Sequence, residues 1–312
     1  MIKRIIKILS LLLDTALLIV LIVFFYLALE IKTTPIVSIP SGSISSIITY
    51  LSKNNFDINQ IDKNILRILG KPQSGLIDMG GERIAKGDFL YRLVNAKAAQ
   101  NKIVLIPGET LYFFIQDIAV KLSLDENKLK ESYSKYAPYE DGVIFPNTYK
   151  IPIGINEESL MMNLVQQSLK IHQNLAVKLL GSYKQEEWFR YITIASIIQK
   201  EAANKQEMPL VSAVIFNRLK LKMPLQMDGS LNYGAYSHTK ITPQRIRTDP
   251  TPFNTYRNKG IPPYPVGSAS IEAIRAAVNP ADVDYLYFVR NKNGVHTFST
   301  TYKEHFDNIH FP

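Results

Sequence analysis

At 312 residues, 46% hydrophobic and 20% charged, the chain is long enough for about two packed domains and has the composition of a globular protein. Its net charge of +9 suits a nucleic acid, a membrane surface or an acidic polymer; with no long run of like charge and no nucleic-acid-binding motif, nucleic acid is set aside. There is no cysteine, which excludes disulfides and thiolate metal sites.

Residues 16–29 are an unbroken apolar run, and extending it back to Ile8 adds only Ser10, Asp14 and Thr15 as interruptions. That length spans a bilayer. Lys3, Arg4 and Lys7 precede it, so the positive-inside rule expects a cytoplasmic N-terminus and an exported remainder. The rival is a cleaved signal peptide. The run is long for one and no Ala-x-Ala site follows, so residues 1–32 read as an uncleaved single-pass anchor. Asp14 is the exception, to be placed near the cytoplasmic end or held neutral.

Residues 33–122 read as a small α+β region. A short strand and turn occupy 37–42, and Ile44, Ile47, Ile48 and Leu51 fall at helical spacing over 43–53. Gly, Pro and Asp break up 70–87. Residues 101–106 form a second strand candidate, ended by Pro-Gly-Glu-Thr at 107–110, with Thr110 as the N-cap of the next helix. The order strand, Ile-Pro, Gly, helix thus occurs twice, at 39–42 and 106–108. Alone, such a module suggests a binding domain without chemistry.

A helix is expected over 125–136. Gly142 and Pro146 forbid one over 140–149, where Glu140, Asp141, Phe145 and Tyr149 bring two acids and two aromatics together. Such a set can line a sugar site or simply pack a loop. Residues 157–180 form an amphipathic, structural helix. The next helix, over 191–202, carries Ile194, Ile197, Ile198 and Glu201 at i, i+3, i+4 and i+7, on one face. A carboxylate in line with three isoleucines either reaches water from the helix end or is held in a cleft. In a cleft, desolvation raises its pKa, as a general acid requires. Residues 207–221 form another helix with Val211, Val214, Ile215, Arg218 and Leu219 along one side; pairing with a carboxylate is the ordinary role for that arginine. Loops rich in polar and aromatic residues follow at 225–234, 249–256 and 260–265, where sites tend to be built. A helix over 268–278 and strands over 284–290 and 294–299, joined by a turn at 291–294, close the pattern. Five histidines without His-x-x-x-His or His-Glu-x-x-His spacing give no metal site, His296 and His305 included.

Six segments, in order, resemble the YceG-like endolytic murein transglycosylase family: Phe-Pro-Asn-Thr-Tyr at 145–149, Ala-Ser-Ile-Ile-Gln-Lys-Glu at 195–201, Val-Ile-Phe-Asn-Arg-Leu at 214–219, Leu-Gln-Met-Asp at 225–228, Phe-Asn-Thr-Tyr at 253–256 with Gly-Ile-Pro-Pro at 260–263, and Tyr-Phe-Val at 287–289 with His-Thr-Phe at 296–298. The resemblance covers almost the whole chain. It implies an α+β fold with an N-terminal transmembrane helix, a LysM-like α+β subdomain over 33–122, and a mixed α+β YceG-like catalytic domain over 123–312 with a helix-borne Glu in a cleft. It implies a lyase of the inner membrane, its catalytic domain periplasmic. Such an enzyme cleaves the β-1,4 bond between N-acetylmuramic acid and N-acetylglucosamine within nascent glycan strands, leaves 1,6-anhydro ends and terminates glycan elongation. The family's catalytic Glu falls on Glu201. Many members carry another Glu two residues earlier, where this chain has Gln199. Gln226, Asp228, Asn254 and Tyr256 are the candidates for positioning substrate and supporting charge, with Tyr149 and His296 as further cleft candidates. No cofactor or metal is implied. Peptidoglycan strands are the implied substrate, the membrane the anchor site and peptidoglycan synthases the partners; nucleic acid is not. Two other readings stay open: a glycan-binding scaffold without catalysis, and a two-carboxylate glycoside hydrolase using Glu201 and Asp228.

Overall fold

The computed structural model describes residues 2–95 and 99–310, apart from the side chains of Ile2, Lys3 and Ile5. The side chain of Lys3, one of the three cations expected at the cytoplasmic end, and the extreme ends of the expected spans 1–32 and 123–312 therefore lie outside what is described. The chain divides into two units, Met1–Asn101 with Ile151–Gly154, and Lys102–Lys150 with Ile155–Pro312.

The first unit begins with α1 (Ile2–Ala28). Its segment Ile6–Ala28 is long and apolar enough to cross a membrane, and leucines and phenylalanines along it are exposed, which fits a membrane anchor. β1 (Glu30–Lys32) follows at once and pairs antiparallel with β4 (Arg83–Ala85), while β2 (Ile36–Ile39) pairs antiparallel with β3 (Gly75–Asp78). Val37 and Ile39 point inward and Ile36 and Ser38 outward, the two-residue period of a half-buried strand. α2 (Ile44–Lys53) starts at Ser43, whose hydroxyl accepts from the Ser46 N–H, and buries Ile47, Ile48 and Leu51, the stripe read from sequence. Two further helices, α3 (Gln60–Leu69) and α4 (Lys86–Asn95), lack so clean a stripe; α3 opens on a capping box between Asn59 and Asp62. Ile31, Leu51, Leu66, Ile77, Phe89 and Leu90 meet in the core.

The expected boundary at residue 32 cuts through this unit. Ile31 is fully buried in the core, and Tyr26, on the last turn of α1, donates to the buried Asp62 carboxylate at 2.9 Å. Lys86, also buried, lies 3.6 Å from Asp62 and 3.5 Å from Asp57. The end of α1 thus completes the polar surroundings that a buried ion pair needs.

The chain enters the second unit within β5 (Gln100–Val104), returns within β6 (Thr148–Pro152), its partner strand, and leaves the first unit again after Gly154. α5 (Leu111–Leu122), grouped above with 33–122, lies in the second unit, where it packs on α6 (Glu126–Tyr136). Thr110 occupies the N-cap position but makes no cap bond. Asp141 takes that role, accepting from Leu111 N–H at 3.0 and 3.2 Å, while the Thr110 hydroxyl donates to Gly234 O at 3.0 Å. Gly142 is indeed a turn: its φ is +73°, and a Cβ there would sit 2.3 Å from Pro265.

α7 (Glu157–Leu180) is capped by Asn156 and ends at Gly181. It leads to α8 (Gln185–Glu201), followed by α9 (Met208–Lys220), α10 (Pro243–Thr248) and α11 (Ile271–Val278). α8 is buried on nearly every face from Trp188 to Ile198 and packs against α9 and α11. It is therefore a core helix rather than the one-faced helix its isoleucines suggest. The hairpin β7 (Tyr287–Arg290) and β8 (His296–Ser299) pairs in the register Tyr287↔Ser299 to Arg290↔His296, and α12 (Tyr302–His310) packs on both strands.

Candidate active site

Glu201 is the last residue of α8, and Ile194, Ile197 and Ile198 behind it are buried to 1% exposure or less. The polar residues of the same segment hold two loops, two residues to each. The Ser196 hydroxyl accepts from Val266 N–H at 3.0 Å, and the Gln199 side chain accepts from Ser270 N–H, at the cap of α11, at 3.1 Å. Lys200 Nζ donates to Ser237 Oγ at 2.9 Å, and Glu201 Oε1 accepts from Gly229 N–H at 2.5 Å. One helix end thus gathers the loops at 225–238 and 260–270 around a single carboxyl. Gly229 is required for this approach: a Cβ there would lie 2.8 Å from Lys200 Cβ and 3.0 Å from Glu201 Oε1.

Burial pushes the Glu201 carboxyl up to about 7; the Gly229 bond opposes the shift and the charge of Asp228 adds to it. The loop facing it alternates. Leu225, Met227 and Gly229 are buried, and Gln226 and Asp228 face out. Gln226 has φ +48°, a left-handed conformation uncommon for a residue with a side chain, and its N–H donates to Thr255 O at 3.1 Å. Thr255, buried, also ties Met227 N–H at 3.1 Å and Ser230 Oγ at 2.9 Å. The Tyr256 hydroxyl donates to Asp228 Oδ1 at 2.8 Å; burial first, and that bond second, raise its pKa, so the phenol keeps its proton.

These groups line a cavity of about 380 Å³ with Arg218, Leu225, the hairpin residues Tyr287, Phe288 and Val289, and Tyr302, His305 and Ile309 from α12. Arg218 is buried and donates to Leu286 O and Leu225 O, each at 2.7 Å, with its guanidinium 5.2 Å from the Tyr287 ring centroid. Backbone carbonyls, not the expected carboxylate, are its partners. A cation solvated this way fastens the 225 loop to the hairpin and walls the cavity.

Of the residues singled out in sequence, the structure brings Glu201, Gln226, Asp228 and Tyr256 together. Three others lie elsewhere. Asn254 is fully buried, its amide donating to Ile246 O and Asp249 O at 2.8 and 2.9 Å, which shapes the loop that presents Tyr256. Tyr149 is a core residue bonded to Phe145 O and, at 3.2 Å, to Ser168 Oγ. His296 turns away from the cavity and binds Glu207 through Nδ1 at 2.7 Å and through its backbone N–H at 2.9 Å. Asp141 is buried as the cap of α5, and burial pushes it up to about 7 against the bonds from Leu111 and Gly142. Lys200, partly buried nearby, is pushed down to about 8. Sequence reasoning met Tyr287 only as part of the family segment at 287–289 and His305 only as a rejected metal ligand, and it passed over Tyr302. A further signal was the aromatic-rich stretch from 285 to 306, which holds Tyr302 and His305 at i, i+3.

The model of the YceG-like family matches residues 37–310. An endolytic murein transglycosylase of Bacillus subtilis is 28% identical over 313 residues, covering 88% of this chain and 83% of that protein. One of Streptococcus pneumoniae is 29% identical over 266 residues, covering 80% of this chain; the chain spans 44% of that relative's length. A crystal structure of a YceG-like protein from Listeria monocytogenes superposes with a TM-score of 0.57 at 24% identity, covering 88% of this chain and 99% of that one, and so shares its fold.

Proposed function

Because the chain belongs to the YceG-like family, we propose that it is a membrane-anchored peptidoglycan lytic transglycosylase with Glu201 as its general acid and base. The supporting observation is one carboxyl at a helix end, in a cavity, aimed by Gly229 and raised to about 7, where it can both give and take a proton near neutral pH. The relatives named endolytic murein transglycosylase support the substrate class. In the proposed reaction, protonated Glu201 gives its proton to the glycosidic oxygen between N-acetylmuramic acid and N-acetylglucosamine as the C1–O bond breaks. The 6-hydroxyl of the same muramic acid then bonds to C1, and its proton returns to the Glu201 carboxylate. No water is consumed, so one carboxyl suffices where a hydrolase needs two.

Gln226, Asp228 and Tyr256 orient the sugar and support the positive charge developing at C1, with the Tyr256 bond fixing the Asp228 carboxylate. Asn254 acts through the loop it holds. On this reading α1 is a single-pass anchor with its N-terminus cytoplasmic, the remainder is periplasmic, and the 33–122 region is a LysM-like glycan-binding subdomain. Strand cleavage there ends elongation beside the peptidoglycan synthases, the proposed partners.

The test is digestion of un-crosslinked nascent glycan by the detergent-solubilised full chain, wild type beside Glu201→Gln, with products read by mass spectrometry. Anhydro ends from wild type and none from the variant are expected. Reducing ends would replace the reading with a hydrolase, and binding without cleavage would replace it with a scaffold.

A further inference from the structure

α12 has no buried residue, yet three of its side chains enter the cavity that holds Glu201. Tyr302, His305 and Ile309 stand at i, i+3 and i+7, one stripe along the helix. In a short helix whose face does not enter the core, packing alone gives no reason for a histidine in that stripe.

We infer that His305 is a substrate-binding residue, donating a hydrogen bond from Nε2 to an oxygen of the glycan in the cleft. The inference rests on the glycan reading of the site. The ring is held in place: it stacks on Tyr287 with centroids 5.1 Å apart and planes 23° from parallel, and Tyr302 lies beside it at 6.5 Å. Among the described residues no protein group hydrogen-bonds either ring nitrogen, and Nδ1 is enclosed without a partner. The cavity is therefore the direction in which the ring can find one, through Nε2.

The proton's place follows from the same surroundings. Burial, and then the charge of Arg218, lower the ring's pKa, so it is neutral at neutral pH and carries one N–H. A proton on Nδ1 would be an enclosed donor with no acceptor, in the field of a guanidinium. A lone pair there is favoured by that field instead. The N–H thus falls on Nε2, the ring nitrogen left to meet a ligand in the cavity that His305 lines. A glycan offers acceptors in its hydroxyl and ring oxygens and in its N-acetyl carbonyls, while Tyr302, 65% exposed, offers an aromatic face.

The experiment compares the full chain with His305→Phe, which keeps the stacked ring and loses the donor, and His305→Gln, whose amide N–H reaches a similar place. Thermal melting checks that each variant folds. Steady-state release of anhydro ends should show KM up about fivefold in His305→Phe with kcat little changed, the mark of a lost ground-state hydrogen bond, and His305→Gln should recover most of it. Glycan binding is measured in parallel on Glu201→Gln with and without His305→Phe, with the same fivefold loss expected. Wild type that makes anhydro ends beside a His305→Phe variant with unchanged KM and affinity would overturn the role of His305 alone. Weakened binding by His305→Phe with no anhydro ends from wild type would uphold His305 and overturn the proposed reaction. Loss of kcat with KM unchanged, or no recovery in His305→Gln, would also overturn the inference.

Discussion

Gly229→Ala tests whether the loop at 225–231 aims Glu201. The new Cβ would lie 2.8 Å from Lys200 Cβ, against the 3.5–4.0 Å at which carbon atoms rest, so loop and helix must part by roughly 1 Å. Lys200 Cβ belongs to the rigid end of α8, so the loop is what moves. The Gly229 N–H to Glu201 bond, 2.5 Å long, then opens beyond hydrogen-bonding range. A bond to a charged group contributes about 1.5–3 kcal/mol, which corresponds to a fall in kcat/KM of about 10- to 100-fold. The bond favours the carboxylate form, so its loss raises the Glu201 pKa above about 7, by roughly 1–2 units. The assay is the pH profile of kcat/KM for anhydro-end release, whose alkaline limb reports the pKa of the general acid in the free enzyme. That limb should move up in the variant, with the thermal melt showing unit 2 still folded. A variant with full activity and an unmoved alkaline limb would refute the argument that this amide positions the acid.

Glu201→Gln should melt higher than wild type at pH 8 but not at pH 4. The carboxyl goes from 4.5 to about 7 on folding, so its stability contribution is greatest below 4.5 and is lost as pH rises through 7. The difference should be on the order of 3 kcal/mol, or several degrees in Tm, read by scanning fluorimetry at both pH values. Glu207→Ala removes the acceptor for His296 Nδ1, His296 N–H and Ala203 N–H; it should cost about 2–4 kcal/mol and lower kcat by loosening the hairpin, and equal melting and activity would count against this anchor. Burial raises the Glu207 pKa, but those donors outweigh it and hold it below the ordinary carboxylate value, so its contribution is present above that value and is lost as the pH falls through the lowered pKa. Asp62→Ala leaves Lys86 buried without its enclosed partner and should destabilise the first unit by about 3–5 kcal/mol, seen as faster hydrogen exchange in α3 and α4 but not in α8.

Much of this architecture was legible in the chain. The apolar run, the isoleucine stripe of α2, the helix over 125–136 and the hairpin turn at 291–294 are local signals, and local signals survive into the fold. α3 and α4 were not legible, because their ends lie among Gly, Pro and Asp that read as loop, and α3 depends on a capping box rather than a broad apolar face. Thr110 shows the limit of cap reading: the position was right, but the acceptor came from Asp141, thirty residues on.

For the site, spacing alone placed Glu201 on the face of three isoleucines, and the motif pattern marked the loops that carry Gln226, Asp228 and Tyr256. A helical period is a property of neighbouring residues, so the sequence sufficed for it. It could not tell that Asn254, Tyr149 and His296 spend their polar atoms on Asp249, Phe145 and Glu207 instead of the cavity. Nor could it bring Gly229 to the Glu201 carboxyl, or Arg218 and His305 into the same cavity. Those meetings join residues far apart in the chain, and which partner satisfies a buried polar group is decided only when the packed loops and helices leave one within reach.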